Sequence, residues 1–304
     1  EIVFGDWSSD VCSSDLWHVE LSGICRILCY TRIITAKSRK LMRKNAGNCK
    51  RSSVLSAERR KFILQALKRD GRVTIPALSL DLGVSIDTIR RDLRDLAEEG
   101  QLQRVHGGAL PFSPAATSYV DRQRSLTPEK VAIAARAAQL ARNGMLIVMG
   151  GGITNVQVAQ HFPPDLQATV MTHNPPVAVA LAEHPNLEVI LVGGSLFKYT
   201  MVTVGAETVD AFRQVRADLC FLGVCSLHPE AGISNVHYEE SQVQRAMIAC
   251  AGEVVALASS EKIGTAGPYV VGALSDLNLI ITGKSVTAET LVPYKAVGVE
   301  VIQV

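Results

Sequence analysis

No run of about eighteen consecutive apolar residues occurs in the chain, so no membrane-spanning helix is expected. The most apolar stretch, Leu21 to Thr35, is broken by Arg26 and Arg32. Sustained heptads and self-similar blocks are missing too, which excludes coiled-coil arrays and short-period repeat folds. Charge is sparse, at 20% of residues beside 47% hydrophobic, so the chain is not wholly disordered. Seven cysteines are few and odd in number, and no secretory signal with a cleavage site precedes them. Reduced thiols and a cytoplasmic location are therefore expected. Cys25 and Cys29 lie four apart without a second pair at zinc-like spacing, so neither a metal nor a cofactor is expected. Cys220, Cys225 and Cys250 stand in apolar stretches and read as small core residues.

What is present fits one large or two medium domains in 304 residues. The net charge of +2 divides unevenly along the chain. Residues 1–53 carry +4, residues 54–111 carry +2 and residues 112–304 carry −4. A basic front suggests a polyanionic partner, although solvated helix faces would give the same split.

Residues 1–53 have no clean helical or strand period. The eleven residues Asp6 to Leu16 match one reading frame of a common sequencing-adapter oligonucleotide. Segment 1–53 is accordingly expected to be non-native or disordered, with a natural start near Met42. A disordered arm and a basic DNA-gripping arm are the alternatives.

From Ser56 the pattern becomes regular. Ser56 is expected to cap a helix carrying Phe62, Ile63, Ala66 and Leu67 on one face and stopped by Asp70-Gly71. Thr74 opens a second helix with Pro76 in its first turn. Gly83 permits a tight turn, and Ser85 caps a third helix from Ile86 to about Glu99, ended by Gly100. Two short helices around a glycine turn, the second rich in arginine, form the helix-turn-helix pattern. In that second helix Ile89, Leu93 and Leu96 share one face, which leaves Asp87, Arg90, Arg91 and Arg94 outside it. Thr88 and Arg91 are expected to reach bases, and Arg90 and Arg94 phosphates. A solvated face with an Asp87–Arg91 pair is the alternative. Leu102 to Leu110, with Gly107-Gly108 at its bend, reads as a hairpin wing that brings Arg104 and His106 to the DNA. A purely structural role for His106 stays open.

The runs Val84-Ser85-Ile86-Asp87-Thr88-Ile89-Arg90-Arg91-Asp92-Leu93 and Arg104-Val105-His106-Gly107-Gly108-Ala109 resemble the winged helix-turn-helix of the DeoR family of bacterial transcriptional regulators. The resemblance implies oligomers bound to double-stranded operator DNA, usually as repressors of carbohydrate-use genes.

Residues 112–127 read as a polar, proline-containing linker with a short extended or helical piece. Thr127-Pro128 then opens a helix, and apolar strands alternate with helices over residues 128–304. Strands are expected at 145–149, 168–171, 188–192, 219–223, 254–258 and 279–282, and helices at 154–162, 175–184, 205–215, 238–251 and 286–297. This alternation predicts a mostly parallel, Rossmann-like α/β sheet covered on both faces, with its ligand at the carboxyl ends of the strands. The loops there carry Gly151, Gly152, Thr154 and Asn155, then Thr172, then Gly193-Gly194, with Glu240 and Lys262 further on. Bare amides at a helix start suit an anion, and a lysine near glycine turns suits a phosphate ester. No nucleotide-triphosphate loop is present. Lys262 alone reads more readily as a surface-loop residue, and His173, His228 and His237 as surface or capping residues.

Residues 128–304 are similar to the family's effector domain, which is in turn similar to sugar-phosphate isomerases. The resemblance implies that Gly152, Thr154, Thr172, Gly193, Gly194, Glu240 and Lys262 contact a small phosphorylated effector. Gly150, Gln244, Ser259 and Gly283 stand where acids or a lysine are usual. The lost acids remove hydroxyl acceptors and a general base, so no enzyme is expected. They also favour a phosphorylated sugar acid beside an ordinary sugar phosphate. An isomerase carrying a helical head, and a constitutive DNA binder, are the rival readings.

Overall fold

The structure is a computed structural model, and it describes residues 55–113 and 117–304. The adapter-like stretch, the rest of segment 1–53 and four of the seven cysteines lie outside the described residues.

The head begins with α1 (Ser56–Asp70), which buries Ile63, Ala66 and Leu67. Its N-cap is Leu55 and not Ser56: the serine is already helical, and no side chain bonds the first free amides. Gly71 closes the helix in the left-handed region, its N–H donating to the Leu67 carbonyl at 2.9 Å. After the two-residue strand β1 (Val73–Thr74) come α2 (Ile75–Leu82) and α3 (Ile86–Glu98). Ser85 caps α3 by accepting the Thr88 N–H at 3.2 Å. Ile89, Leu93 and Leu96 are buried as their spacing requires, together with Asp92. The wing strands β2 (Leu102–Val105) and β3 (Gly108–Pro111) pair antiparallel, and β1 adds to the far side of β3. Three helices and this small sheet share one apolar core.

Between head and sheet the chain forms a six-residue helix, α4 (Tyr119–Arg124), capped by Ser118. The α/β part then runs α5 (Pro128–Ala138), β4 (Leu146–Met149), α6 (Ile153–His161), β5 (Ala168–Thr172), α7 (Pro175–Leu181) and β6 (Leu187–Leu191). A hairpin, β7 (Ser195–Phe197) and β8 (Val202–Val204), leads to α8 (Ala206–Arg213) and β9 (Ala217–Gly223). Next come β10 (Ser226–His228), β11 (Gly232–Asn235), α9 (Tyr238–Cys250) and β12 (Ala251–Ala258). The chain ends with β13 (Tyr269–Gly272), β14 (Leu279–Thr282), α10 (Ala288–Ala296) and β15 (Glu300–Gln303).

Seven of these strands make one sheet, in the order β15-β14-β12-β9-β4-β5-β6, and every pairing in it is parallel. Neighbouring residues point to opposite faces, so each strand feeds two cores. Along β9, Cys220 and Leu222 enter one core with Phe212, Met247 and Tyr294, while Leu219 and Phe221 enter the other with Ile133, Val158 and Val177. Strands buried on both faces must be apolar throughout, which is why they read as continuous runs. Strand order reverses between β4 and β9, and loops diverge there to leave a crevice at the carboxyl ends. A second, antiparallel sheet, β10-β11-β13, was not foreseen, because strands of three or four residues are too short to show a period.

The wing strand continues directly into the α/β part. The Pro111 carbonyl accepts the Ala266 N–H at 3.0 Å, and Ser113 Oγ donates to the Cys225 carbonyl at 2.5 Å. Arg72, beside β1, forms an exposed ion pair with Glu230 of the β10–β11 turn.

Candidate functional site

Charge in the head is sorted by helix face. Arg59 on α1 donates from Nε and Nη2 to the two carboxylate oxygens of Asp92, at 2.8 and 3.1 Å. Arg60 holds Asp95 and Glu99, each at 2.7 Å. Asp92 and Asp95 of α3 and Glu99 at its C-cap are therefore spent on α1, and the arginines of its other face stand out in solvent. Arg91 and Arg94 are exposed and form no ion pair among the described residues, while Arg90 pairs with Asp87 at 3.1 Å. That pair takes the place of the Asp87–Arg91 pair that the spacing allowed. Ser85 and Thr88 hydroxyls bond each other at 2.9 Å. Arg104 on β2 and His106 in the wing turn are exposed. All eight head residues singled out from the sequence thus lie on α3, its cap or the wing. The Arg59–Asp92 clamp was missed, although an acid inside the apolar stripe was a signal for it.

At the switch point between β4 and β9, a cavity of about 260 Å³ opens at the carboxyl ends of the strands. Gly151, Gly152, Ile153 and Thr154 form one wall, and Gly223, Val224 and Cys225 the facing one. Glu240, Glu261 and Lys262 close a third side, and Asp121, Arg122, Ser125 and Lys130 come from the linker and α5. The glycine walls are a packing requirement: a Cβ on Gly223 would collide with the Gly151 carbonyl oxygen. Gly152, the N-cap of α6, holds φ +107°, a conformation that suits only glycine.

Five residues expected at the effector site, Gly151, Gly152, Thr154, Glu240 and Lys262, line this cavity together. The other four do not. Asn155 is fully buried behind the turn and donates from Nδ2 to the Gly151 and Phe221 carbonyls at 3.2 and 3.3 Å. Thr172 is fully buried, donating to the Met149 carbonyl at 2.8 Å and accepting the Asn174 N–H at 3.1 Å. Gly193 and Gly194 are exposed on the β6–β7 turn, where Thr208 Oγ1 donates to the Gly193 carbonyl at 2.7 Å. Asn155 and Thr172 therefore hold the strand ends in place.

The cavity's electrostatics are unbalanced in a particular way. Lys130 pairs with Glu261 at 3.4 Å, and Asp121 accepts from Ser118 Oγ at 2.6 Å. Glu240 is 5% exposed, and its Oε2 has no hydrogen-bond partner among the described residues. Burial raises its pKa, with Arg122 pulling the other way. Arg122 Nε and Nη2 are buried and also lack a partner among the described residues. Lys262 is half-buried, makes no ion pair among the described residues, and has its pKa lowered by burial. Arg122 was overlooked because it lies in what reads as a linker.

The departures from the family pattern also have structural expression. Gln244 bridges the Asn235 side chain at 2.9 Å and the Gly223 carbonyl at 2.8 Å. Ser259 is fully buried and donates to Glu261 at 2.8 Å. Glu129 of α5 fills the space beside Gly283, accepting the Ser260 N–H at 3.1 Å and its hydroxyl at 3.3 Å. Of the three histidines expected at the surface or as caps, His228 caps a turn and the other two need correction. His173 is 1% exposed, edge-on to Phe212 at 5.8 Å, with neither ring nitrogen bonded, and so is a core residue. His228 is buried and caps the β10–β11 turn, accepting the Glu230 and Ala231 N–H groups at 3.1 and 3.2 Å. His237 precedes α9 without capping it, packed against Phe197 at 4.9 Å.

Among the described residues, no helix is long and apolar enough to cross a membrane. Comparison with known proteins agrees with the two-part architecture. Residues 59–114 match the DeoR-like helix-turn-helix domain, and residues 126–284 the DeoR C-terminal sensor domain. The chain is 32% identical over 252 residues to the HTH-type transcriptional regulator GlpR of Haloferax volcanii, covering 82% of this chain and 98% of that protein. It is 30% identical over 226 residues to the glycerol-3-phosphate regulon repressor of Escherichia coli, covering 74% and 90%. A structural likeness to the sorbitol operon regulator SorC of Klebsiella pneumoniae has a TM-score of 0.38 at 13% identity, over 77% and 98% of the two chains. The chain therefore belongs to the DeoR family of transcriptional regulators, with a DeoR-like helix-turn-helix domain and a C-terminal sensor domain.

Proposed function

We propose that this chain represses a carbohydrate- or polyol-use operon in the cytoplasm and is controlled by a small phosphorylated metabolite bound in the switch-point cavity. Repression is the action named for several relatives, including the glycerol-3-phosphate regulon repressor. One recognition helix reads a single half-site, so the chain acts as a homo-oligomer on a repeat-containing operator. Arg91 and Thr88 read bases, and Arg90, Arg94, Arg104 and His106 hold the backbone. Ligand shifts the placement of the heads, because DNA affinity changes only through a difference between two states.

The observation that carries the reading is the cavity's unmatched polar set. The amides at the start of α6 and the Lys262 ammonium suit a phosphate, and the buried Glu240 oxygen lacks the donor that a ligand hydroxyl would supply. Gly193, Gly194, Asn155 and Thr172 shape the loops around it.

A thermal-shift screen of the full chain tests this, using sugar phosphates, phosphorylated sugar acids and their unphosphorylated parents. A ligand at about 100 times its dissociation constant adds roughly 2.7 kcal/mol of stability. Hits confined to phosphorylated compounds are expected, and hits confined to the unphosphorylated parents overturn the reading. Preference for sugar acids over sugar phosphates separates the two effector classes.

A further inference from the structure

We propose that Arg122, on the linker helix, is an anion-binding residue of the effector site, so that the bound metabolite itself ties the linker to the sensor domain. This rests on the cavity being the phosphorylated-metabolite site. The argument starts from the guanidinium. Its Nε and Nη2 are buried, with no partner among the described residues, and the residue lines the cavity. A buried guanidinium left unpaired is costly, and its planar fork fits two oxygens of one carboxylate or phosphate. The same two atoms of Arg59 are filled in this way by the two oxygens of Asp92. Among the described residues no carboxylate does this for Arg122: Asp121 faces Ser118, and Glu240 forms no ion pair with it. An anionic group entering the cavity would complete the fork.

The position of Arg122 gives that contact its consequence. Helix α4 has six residues, too few to be stable alone, so its placement depends on what it touches. One such contact is the Tyr119 N–H to the Tyr199 carbonyl at 2.7 Å. Before it, the chain is bonded through Ser113 to Cys225, a cavity residue, and through Pro111 to Ala266. Pro111 is the last residue of the wing strand. Ligand held by Arg122 thus fixes the segment from which the DNA-reading head is suspended.

The test uses the full chain, with inorganic phosphate as the probe, and two readouts. One is the melting temperature against phosphate concentration; the other is amide hydrogen exchange of residues 117–126. Wild type is expected to gain stability and linker protection. Arg122→Gln should bind phosphate at least tenfold more weakly and lose the linker protection, with a ligand-free melting temperature no lower than that of wild type, since the unpaired guanidinium is gone. Arg122→Lys, which keeps the charge without the fork, should fall between. Phosphate binding and linker protection equal to wild type in Arg122→Gln would overturn the proposal. Lys262→Met serves to separate the two readings. If it loses phosphate while Arg122→Gln keeps it, the linker inference alone fails. If wild type does not respond, or responds no differently from Lys262→Met, the metabolite-site reading fails and the inference with it.

Discussion

Arg59 and Asp92 clamp the first helix of the head to the recognition helix through a two-point fork, with side chains only 14% and 4% exposed. Hydrogen bonding to Asp92 raises the Arg59 pKa, so the guanidinium keeps its charge. Asp92→Ala leaves a buried guanidinium without its main partner and should cost about 3–5 kcal/mol, read by urea denaturation. The exposed pair Arg69–Asp70 is a control: Asp70→Ala should leave the urea midpoint almost where it is. Equal effects at the two sites would remove the clamp from the account of the head.

Arg91 is free to reach a base edge, because Asp87 is already paired with Arg90. Arg91→Ala should weaken binding to an operator selected from a random-sequence pool by about 1–3 kcal/mol and relax its sequence preference. Arg94→Ala should weaken all sequences alike and reduce the salt slope by about one. Fluorescence anisotropy over a salt series measures both. A salt-insensitive wild-type affinity would contradict the contact with DNA phosphates.

Gly223 and Gly151 lie backbone against backbone at the switch point. Gly223→Ala forces its Cβ against the Gly151 carbonyl oxygen and the Asn155 side chain. A cost of about 1–3 kcal/mol is expected from the overpacking, together with weaker ligand binding as the glycine turn shifts. Calorimetric melting with and without ligand checks it; an unchanged ligand shift would show that the turn tolerates the move.

His173 makes stability depend on pH. Burial pushes its pKa down to about 4, against about 6.5 in an unfolded chain. Between these values the unfolded chain binds more protons than the folded one. Its contribution is complete above about pH 6.5 and is lost as pH falls toward 4, an effect of about 3 kcal/mol in all. His173→Phe should flatten the stability profile in that window. A profile that keeps its wild-type slope would assign the dependence to other groups.

How much of this was legible follows from length and period. The recognition helix announced itself because Ile89, Leu93 and Leu96 repeat over its thirteen residues and Ser85 caps it by type. Six of the seven parallel strands were legible as apolar runs; β15, a half-exposed edge strand with charge and amide at its ends, gave no such run. Helix α4 was only one of two options for its segment, since six residues hold fewer than two turns. Arg122 therefore gave no sign that it faces a cavity. His173 looked like a loop residue because its burial comes from Phe212, thirty-nine positions away, and no local pattern reports such a contact. Glu129 was equally silent, as its partner Ser260 lies far along the chain.

Glu129 and Gly283 have a consequence for how this chain can vary. The carboxylate of Glu129 occupies the room that a side chain at position 283 would need, and Ser260 holds it there. An acid restored at 283 would evict Glu129 from its bonds, whereas a shorter residue at 129 would leave the Ser260 amide bare. The two positions are thus coupled through the Glu129 carboxylate and the Ser260 amide that it caps. Relatives bearing an acid at the place of Gly283 should carry something smaller at the place of Glu129, a covariation that an alignment of close relatives can display.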